Sequence, residues 1–512
     1  MALARHAPVS DASHPVTSGD SSGNGSESTQ SRWVRGFDYA IFGFLLLFAI
    51  ALPHSIKGAE RSWKIALVLW LLKLAIGRLR PLKQPLVLPL LAYATLSAIS
   101  TILSPDPYLS WDRMKFVCLY LAGVVVAQNL KRVSQVRWLV VLLVLSGFAA
   151  ALFTGWQYTY GEGVRLLSFS PGSRLSQAGL QPEDIVTSFN GHWTYTQEQL
   201  LRAVKQTPPH TAVKVEYLRG LELHTSAITA TPEDFVQSGL GTTAMKFARA
   251  RPVRAQGTLG HYVVFAEMLV QIGCMAWALM LATGGGQTGW RVVFAIAFAG
   301  ITAALFATQT RAAVAGLLLG CLLALLLLIR GRIRVIAIVA LAGILAGATL
   351  WIQHTRRVEW VDRTDVSTQF RVLMWEDGIR LVREHPWFGV GMETARLHYR
   401  EWNIRGFIQY HVQSHFHSTY LQIAVERGIP ALLAWLWFSA AYFLFLFRLI
   451  SRLRAQSRFA CGVAAGALAG FVAFTLSSFV HYNLGEEPLA MILFFYYGLV
   501  AAMDRMTAHP AR

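Results

Sequence analysis

Apolar blocks recur along almost the whole chain, and they restrict the fold more than any other feature of the sequence. The backbone groups of a helix are hydrogen-bonded internally, as hydrocarbon requires. A helical crossing needs about 20 predominantly apolar residues, and on this criterion the sequence predicts a polytopic α-helical membrane protein with about twelve transmembrane helices. The predicted spans are Phe37–Pro53, Trp63–Ile76, Leu86–Leu103, Met114–Gln128, Trp138–Trp156, Leu259–Leu281, Val292–Thr308, Ala312–Ile329, Ile333–Ile352, Ile429–Phe447, Phe459–Val480 and Pro488–Met503.

Charged residues are scarce and unevenly placed. They make up 14% of the chain, against about 25% in soluble domains. The net charge of +18 would suit nucleic acid, but Lys and Arg lie mainly in short loops between spans, as membrane orientation requires. We therefore predict no nucleic-acid partner. With the N-terminus inside, every strongly basic short loop falls on the cytoplasmic side, so both termini are predicted to be cytoplasmic.

The cysteines all lie within apolar blocks, and no CxxC motif occurs. This pattern indicates small buried apolar residues rather than disulfides or metal ligands. The four residues are Cys118, Cys274, Cys321 and Cys461.

A polar, strand-like segment interrupts the spans at residues 161–235. Its turns resemble those of a bacterial-type PDZ domain, which would be a small α+β insert. PDZ domains bind extended peptides by adding a strand to a sheet edge, but Glu162 stands before Gly163 where that family has a hydrophobic residue. Three interpretations stay open: a rigid spacer, a docking surface for a periplasmic protein partner, and a peptide-binding module. The turns are Pro171-Gly172-Ser173, Ala178-Gly179-Leu180, Asp184-Ile185 and Asn190-Gly191.

An intramembrane protease with such an insert would need a catalytic motif. The sequence contains neither HExxH nor GxSxG, which argues against zinc and serine proteases.

A second polar segment, residues 353–428, separates two groups of spans. It cannot lie in hydrocarbon, because its backbone groups would go unsatisfied. It is rich in Arg, His and aromatic residues, and it ends in HVQSHFHSTYLQIAVERGIP. We interpret it as the catalytic loop of a membrane enzyme.

Four arginines are predicted near the outer ends of spans or in this loop. Arg251 and Arg254 precede the sixth span, Arg311 lies between the seventh and eighth, and Arg371 lies in the large loop. One interpretation is that each side chain snorkels to the interface. The other is that they converge on phosphate oxygens, which the planar guanidinium matches better than an ammonium does.

His415 and His417 lie just before a predicted membrane-entering helix. An imidazole titrates near neutral pH and suits a general base for a sugar hydroxyl. Two alternatives remain for this segment. His417 could simply cap the helix, or His411, His415 and His481 could hold a metal, although no carboxylate or cysteine cluster joins them.

Together these pieces resemble the O-antigen ligase and polymerase superfamily. The ligase signature is His, a small polar residue, nine residues, Gly, two residues, then Gly, Thr or Tyr. His417, Ser418 and Gly428 fit it, and Ala431 departs from it. The other matching stretches are Arg254 with Gly257-Thr258 and Ala266-Glu267, Thr310-Arg311-Ala312, Arg371 to Trp375, and Pro386 to Gly391.

The resemblance implies an inverting glycosyltransferase of the GT-C type in a bacterial inner membrane, with its site on the periplasmic face. The donor would be a glycan on undecaprenyl diphosphate and the acceptor a lipid A core sugar, with no cofactor and no metal. His417 would be the base, and Arg254, Arg311 and Arg371 would hold the diphosphate. The expected substrate-binding residues are Arg251, His415, Glu267 and Glu426, of which the two glutamates would orient the catalytic groups.

Other functions stay open. Within the same chemistry these are an O-antigen or exopolysaccharide polymerase and a protein O-oligosaccharyltransferase. The different class is a PDZ-regulated transporter, for which we expect mid-span charges or broken repeats. The predicted segments are a disordered cytoplasmic tail (1–31), spans 1–5 (32–160), the periplasmic insert (161–235), spans 6–9 (236–352), the periplasmic loop (353–428), and spans 10–12 with the cytoplasmic C-terminus (429–512).

Overall fold

The computed structural model of the chain describes most of the residues but leaves gaps. The described residues are 23–77, 79–161, 163–168, 174–208, 211–219, 222–229, 246–250, 255–332, short pieces between 334 and 347, 366–410 and 414–508. Several predicted features lie wholly or largely outside them: residues 1–22 of the tail, the ninth span, Arg251, Arg254 and His411.

Helices dominate the described part of the chain. Eight of them are long and apolar enough to cross a membrane, and Val87–Ile102 is a shorter apolar helix. The protein is thus a polytopic α-helical membrane protein, while the number twelve and the sidedness stay predictions. The helices are α1 Gly23–Ala51, α2 Ile56–Gly77, α3 Val87–Ile102, α4 Pro107–Val117, α5 Tyr120–Asn129, α6 Val133–Tyr160, α7 Arg174–Gln177, α8 Gln197–Gln206, α9 Tyr262–Ala282, α10 Thr288–Ala307, α11 Arg311–Leu328, α12 Val366–Glu384, α13 Thr394–Leu397, α14 Arg405–Tyr410, α15 Thr419–Leu453, α16 Arg458–Ser477 and α17 Glu487–Ala508.

The predicted fourth span differs from the structure, where two short helices, α4 and α5, replace one helix. Helix α4 begins at Pro107, before the predicted start of the span at Met114. Asp106 accepts a hydrogen bond from the Leu109 N–H and Pro107 occupies the first turn, and both features favour the start of a helix. The helical conformation is interrupted at Cys118 and Leu119, and α5 begins at Tyr120.

Helix α9 forms the centre of the bundle and packs against α6, α10, α11, α16 and α17. Its closest neighbour is α16, which carries glycines at every fourth position. An added Cβ at Gly462 would lie 2.6 Å from the Cβ of Ala282, and one at Gly466 would lie 2.8 Å from the sulfur of Met275. Small residues at this spacing let two membrane helices approach closely, and this stripe seats the end of α16 beside the start of α9.

The polar insert forms a six-stranded sheet with its own apolar core. Five strands follow the order β5-β4-β2-β1-β6, every described pair is antiparallel, and the short β3 pairs with β2. Strand β6 lies beyond the predicted end of the insert at residue 235. Membership of the PDZ family stays a prediction. The strands are β1 Gly163–Ser168, β2 Ile185–Phe189, β3 His192–Trp193, β4 Val213–Arg219, β5 Glu222–Ile228 and β6 Lys246–Ala250.

The insert contacts the bundle where α6 ends. The ring of Trp156 meets the ring of Tyr195 edge-on, with centroids 5.0 Å apart. The Gln157 side-chain amide donates to the carbonyl of Gly257 at 3.4 Å, just before α9. These contacts set the insert at the end of the bundle where α9 begins.

Candidate functional site

His417 lies directly before α15 in an unusual backbone conformation. Its φ is 49°, in the left-handed region, which is uncommon for a residue with a side chain. The next residue, Ser418, caps the helix by accepting a hydrogen bond from the Leu421 N–H at 3.4 Å. The interpretation of His417 as a mere helix cap is therefore wrong, because Ser418 performs that role.

Four histidines and an arginine line one cavity of about 180 Å³ at this end of the bundle. Helix α12 contributes the arginine, and the segments before α9, α15 and α17 contribute the imidazoles. These three helices therefore begin at the same end of the bundle. The polar lining residues used below are His261, Arg371, His415, His417, His481, Tyr482, Asn483 and Glu486.

The imidazoles of His415 and His417 lie against each other, with ring centroids 4.4 Å apart. The backbone N–H of His417 donates to Nδ1 of His415 at 3.1 Å, so the neutral His415 ring carries its proton on Nε2. The Tyr482 ring lies 5.7 Å from His415, and the Phe370 ring lies 5.3 Å from His417. The His417 ring is thus enclosed from several sides.

Burial and neighbouring positive groups keep these imidazoles neutral. The pKa of His417 falls to about 2, chiefly because burial disfavours the charged ring and also because His415, Arg371 and His481 lie close. Burial likewise lowers the pKa of His415 to about 4 and that of His481 to about 3. At neutral pH His417 therefore has a free lone pair, as a proton acceptor requires. Its buried Nε2 has no hydrogen-bond partner among the described residues.

Gln422, one turn into α15, connects the histidine segment to a buried carboxylate. The Phe416 N–H donates to Oε1 of Gln422 at 2.8 Å, and Nε2 of Gln422 donates to Glu426 at 2.8 Å. The Glu393 N–H also donates to Glu426, at 3.0 Å. Glu426 thus lies behind the cavity and supports the loop that carries His415 and His417.

A break in α15 at Gly428 lets a second loop segment cross the helix. Gly428 has φ 81°, and an added Cβ would lie 2.1 Å from the Trp387 carbonyl oxygen. The Val390 N–H donates to Val425 O at 2.9 Å, and the Ile429 N–H donates to Pro386 O at 2.8 Å. The Pro386–Gly391 segment therefore pairs with the backbone exposed by the break, and glycine is required there for both space and conformation.

Glu267 reaches the cavity wall through a short network. Its Oε2 accepts from Ser477 Oγ at 2.9 Å, and Nδ2 of Asn483 donates to the same hydroxyl at 2.5 Å. Asn483 lines the cavity. Glu267 itself is buried in α9, so it supports the wall from behind.

Of the four predicted arginines, the two that the structure describes differ in their position relative to the cavity. Arg371 lines the cavity with His417. Arg311 opens α11, and among the described lining residues of this cavity it does not occur. The Ala255 N–H donates to Ala307 O at 3.0 Å, which holds the residue after Arg254 beside the turn that leads to Arg311. Arg254 and Arg251 themselves lie outside the described residues.

The metal interpretation finds no support within the described part of the chain. There, no group of three or more His, Cys, Asp or Glu is arranged to hold a metal ion. His415 and His481 line the same cavity, but His411 is not described.

Sequence reasoning missed His261, Gln422, Tyr482 and Glu486. His261 and Glu486 line the cavity, and burial raises the pKa of the Glu486 carboxyl. A weak signal existed, because a His-Tyr pair occurs at His261 and at His481, each near the outer end of a predicted span, although a third pair at His398 is not among the residues that line the cavity. Gln422 carries no such signal, since its role depends on its two partners.

One family model matches a part of the chain. Residues 294–436 match the family model Wzy_C, described as O-Antigen ligase. The match includes Arg311, Arg371, His417 and Gly428, and it supports a relation to the O-antigen ligase superfamily. No curated protein matches the chain.

Proposed function

We propose that this membrane protein is an O-antigen ligase-type glycosyltransferase that moves a glycan from undecaprenyl diphosphate to a lipid A core sugar at the periplasmic face. The observation that carries the proposal is the common cavity of His417 and Arg371, within a region that matches the ligase family model.

His417 acts as the general base. It removes the proton from the acceptor hydroxyl, the oxygen attacks the anomeric carbon, and the bond between that carbon and the diphosphate oxygen breaks. Undecaprenyl diphosphate leaves, and the anomeric configuration inverts. The donor linkage is already activated, so this step needs no cofactor and no metal.

Arg371 binds the diphosphate and stabilises the charge that develops on it. Such electrostatic stabilisation of the transition state is usually the largest contribution to catalysis. Arg254 and Arg311 complete the phosphate contacts, and Arg251 adds to them. The hydrogen bond from the Ala255 N–H to Ala307 O supports this assignment, because it joins the residue after Arg254 to the turn before Arg311. A dianion beside Arg371 also offsets part of the positive charge that lowers the pKa of His417. Donor binding therefore makes His417 a better base.

His415 contacts substrate and holds the His417 segment through its Nδ1. Glu426 and Glu267 orient these groups through Gln422 and through Ser477 with Asn483. Both carboxylates are buried, so they position other residues instead of meeting the sugar.

The test compares lipopolysaccharide from a deletion strain complemented with the parent chain or with His417→Ala. We expect the deletion and the variant to lack O-antigen on lipid A and to accumulate lipid-linked chains. A core that bears a single repeat would indicate a polymerase instead. Normal O-antigen in the deletion strain would refute both, and unaltered glycoprotein in the same strain excludes protein glycosylation.

A further inference from the structure

Strand β6 is added to the sheet of the insert from a distant part of the sequence. It pairs antiparallel with β1, with Gly163 opposite Ala250 and Arg165 opposite Ala248. On its other side β1 pairs with β2, so β6 covers the edge that β1 would otherwise expose. Helix α8 also contacts β6.

An uncovered edge of this kind is where an extended peptide adds as a further strand. We infer that Lys246–Ala250 is a resident strand: it fills the strand-addition edge of β1 with the protein's own chain and so clamps the arginine segment that follows it to the insert. The sheet edge is thereby a fixed attachment point for this chain and is not a free receptor for other peptides.

The position of the clamp gives it a mechanical role. Strand β1 begins just after α6 ends at Tyr160, and β6 ends at Ala250, opposite the first residue of β1. The two ends of the insert therefore lie side by side and are hydrogen-bonded. Gly163 suits this junction, because an added Cβ there would lie 2.4 Å from the Val186 carbonyl oxygen.

The pairing of β6 with β1 affects the proposed site because the strand is directly followed in the sequence by the arginine segment. Ala250 is held by β1 and Ala255 is held by Ala307. Five residue steps reach at most about 18 Å, so Ala250 and Ala255 can lie no farther apart than that, and Arg251 and Arg254 belong to the stretch of sequence between these two anchors. This role rests on the proposed function, in which those arginines bind the diphosphate.

The pairing geometry supplies a matched pair of proline variants. The Leu166 N–H donates to Asp184 O on the β2 side. Because successive N–H groups of a strand alternate in direction, the N–H of Arg165 faces β6 and that of its partner Ala248 faces β1. The N–H of Arg249 then points away from the sheet. Proline is tolerated on an edge strand only in that outward orientation.

We therefore expect Ala248→Pro to detach β6 and Arg249→Pro to leave it paired. Glycan transfer by the purified full-length protein in liposomes should fall about tenfold or more in Ala248→Pro, as misplaced binding groups cost in other enzymes. Arg249→Pro should transfer at the parent rate. Equal activity of the two variants would overturn the clamp.

A binding assay tests the same inference without activity. A fluorescein-labelled peptide with the sequence of residues 243–251 should bind to the Ala248→Pro protein and should not bind to the parent protein, as measured by fluorescence polarisation. Equal binding to both proteins would show that the edge is open and would refute a resident strand. This result stands even if the parent transfers no glycan, so failure of the proposed function is distinguishable.

A cross-linked variant tests the clamp without introducing a proline, so its result does not depend on whether the proline variant folds. Paired strand residues have Cα atoms about 5.5 Å apart, within the range for a disulfide, so Arg165→Cys with Ala248→Cys should lock β6 in place. The oxidised double variant should transfer glycan at the rate of the reduced one. Loss of transfer on oxidation would mean that β6 must leave β1, which contradicts the clamp.

Discussion

The backbone N–H of Phe416 donates a hydrogen bond of 2.8 Å to the side chain of Gln422. Phe416 lies between His415 and His417, and Gln422 lies one turn into α15. The histidine segment is therefore held by the helix that it precedes. Because Gln422 also donates to buried Glu426, the side-chain amide is fixed at both ends, and the loop inherits the rigidity of the helix.

This link predicts the effect of Gln422→Leu. The buried Phe416 N–H would lose its partner, which costs about 1–3 kcal/mol, and Glu426 would lose one of its donors while keeping the Glu393 N–H. We expect a lower Tm, a reduced kcat and a smaller change in KM, because the base moves while the phosphate contacts remain. Gln409→Leu, an exposed position in the same loop, is the control. A parent-like kcat in Gln422→Leu would contradict the positioning role.

His417→Ala should remain folded and inserted but lose glycan transfer. A general base contributes about 10²–10⁴-fold to a rate, so the residual rate in a liposome assay should fall by that order. His398→Ala removes a histidine from the surface of the same loop, where it pairs with Glu401, and should behave as the parent. Substantial transfer by His417→Ala would remove the base assignment.

Arg371→Lys should also fail, because an ammonium keeps the charge but not the planar pair of donors that matches a diphosphate. The same is expected of Arg254→Lys and Arg311→Lys. Arg383→Lys, at an exposed position of α12, is the matched control. The measurement is donor binding and transfer with the purified lipid-linked glycan, and a Lys variant at 371 with parent affinity would exclude bidentate binding.

Gly428→Ala should lower the amount of folded protein in the membrane. The new Cβ would meet the Trp387 carbonyl oxygen at 2.1 Å, and the position has φ 81°, which disfavours any side chain. Gly43→Ala is the comparison, because an added Cβ there meets nothing within 4 Å. Size-exclusion profiles in detergent report the outcome, and a monodisperse Gly428→Ala protein at parent yield would be the unexpected result.

Acid should destabilise the protein from about pH 6.5 downward. In the folded state the pKa values of His415, His481 and His417 lie at about 4, 3 and 2, whereas an exposed histidine has a pKa of about 6.5. Below that pH the unfolded chain binds more protons, so the free energy of unfolding decreases as pH falls.

Each of these histidines contributes at most about 1.4 kcal/mol per pH unit to this decrease. Thermal unfolding in detergent between pH 7 and 5 measures it. His415→Asn should flatten the curve. A Tm independent of pH in this range would mean that the buried imidazoles take up protons in the folded state.

Several parts of this protein follow from short stretches of sequence. Hydropathy reveals the membrane helices, because transfer into hydrocarbon depends on about 20 neighbouring residues at a time. Helix α12 ends at Glu384, directly before His385 and Pro386, because a proline disfavours the helical conformation in the residue that precedes it. Local chemistry and resemblance single out His417 and Gly428 in the sequence, and the close contact and positive φ at Gly428 give a physical reason for glycine there.

Only the tertiary structure decided which residues share the cavity. His261, Arg371, His417 and His481 come from four separate segments, and nothing in their local sequence specifies that they meet. Their convergence depends on helix packing, such as the close approach of α16 to α9. The pairing of β6 with β1 is likewise a long-range contact. Local patterns report the free energy of single elements, whereas a site depends on how those elements pack together.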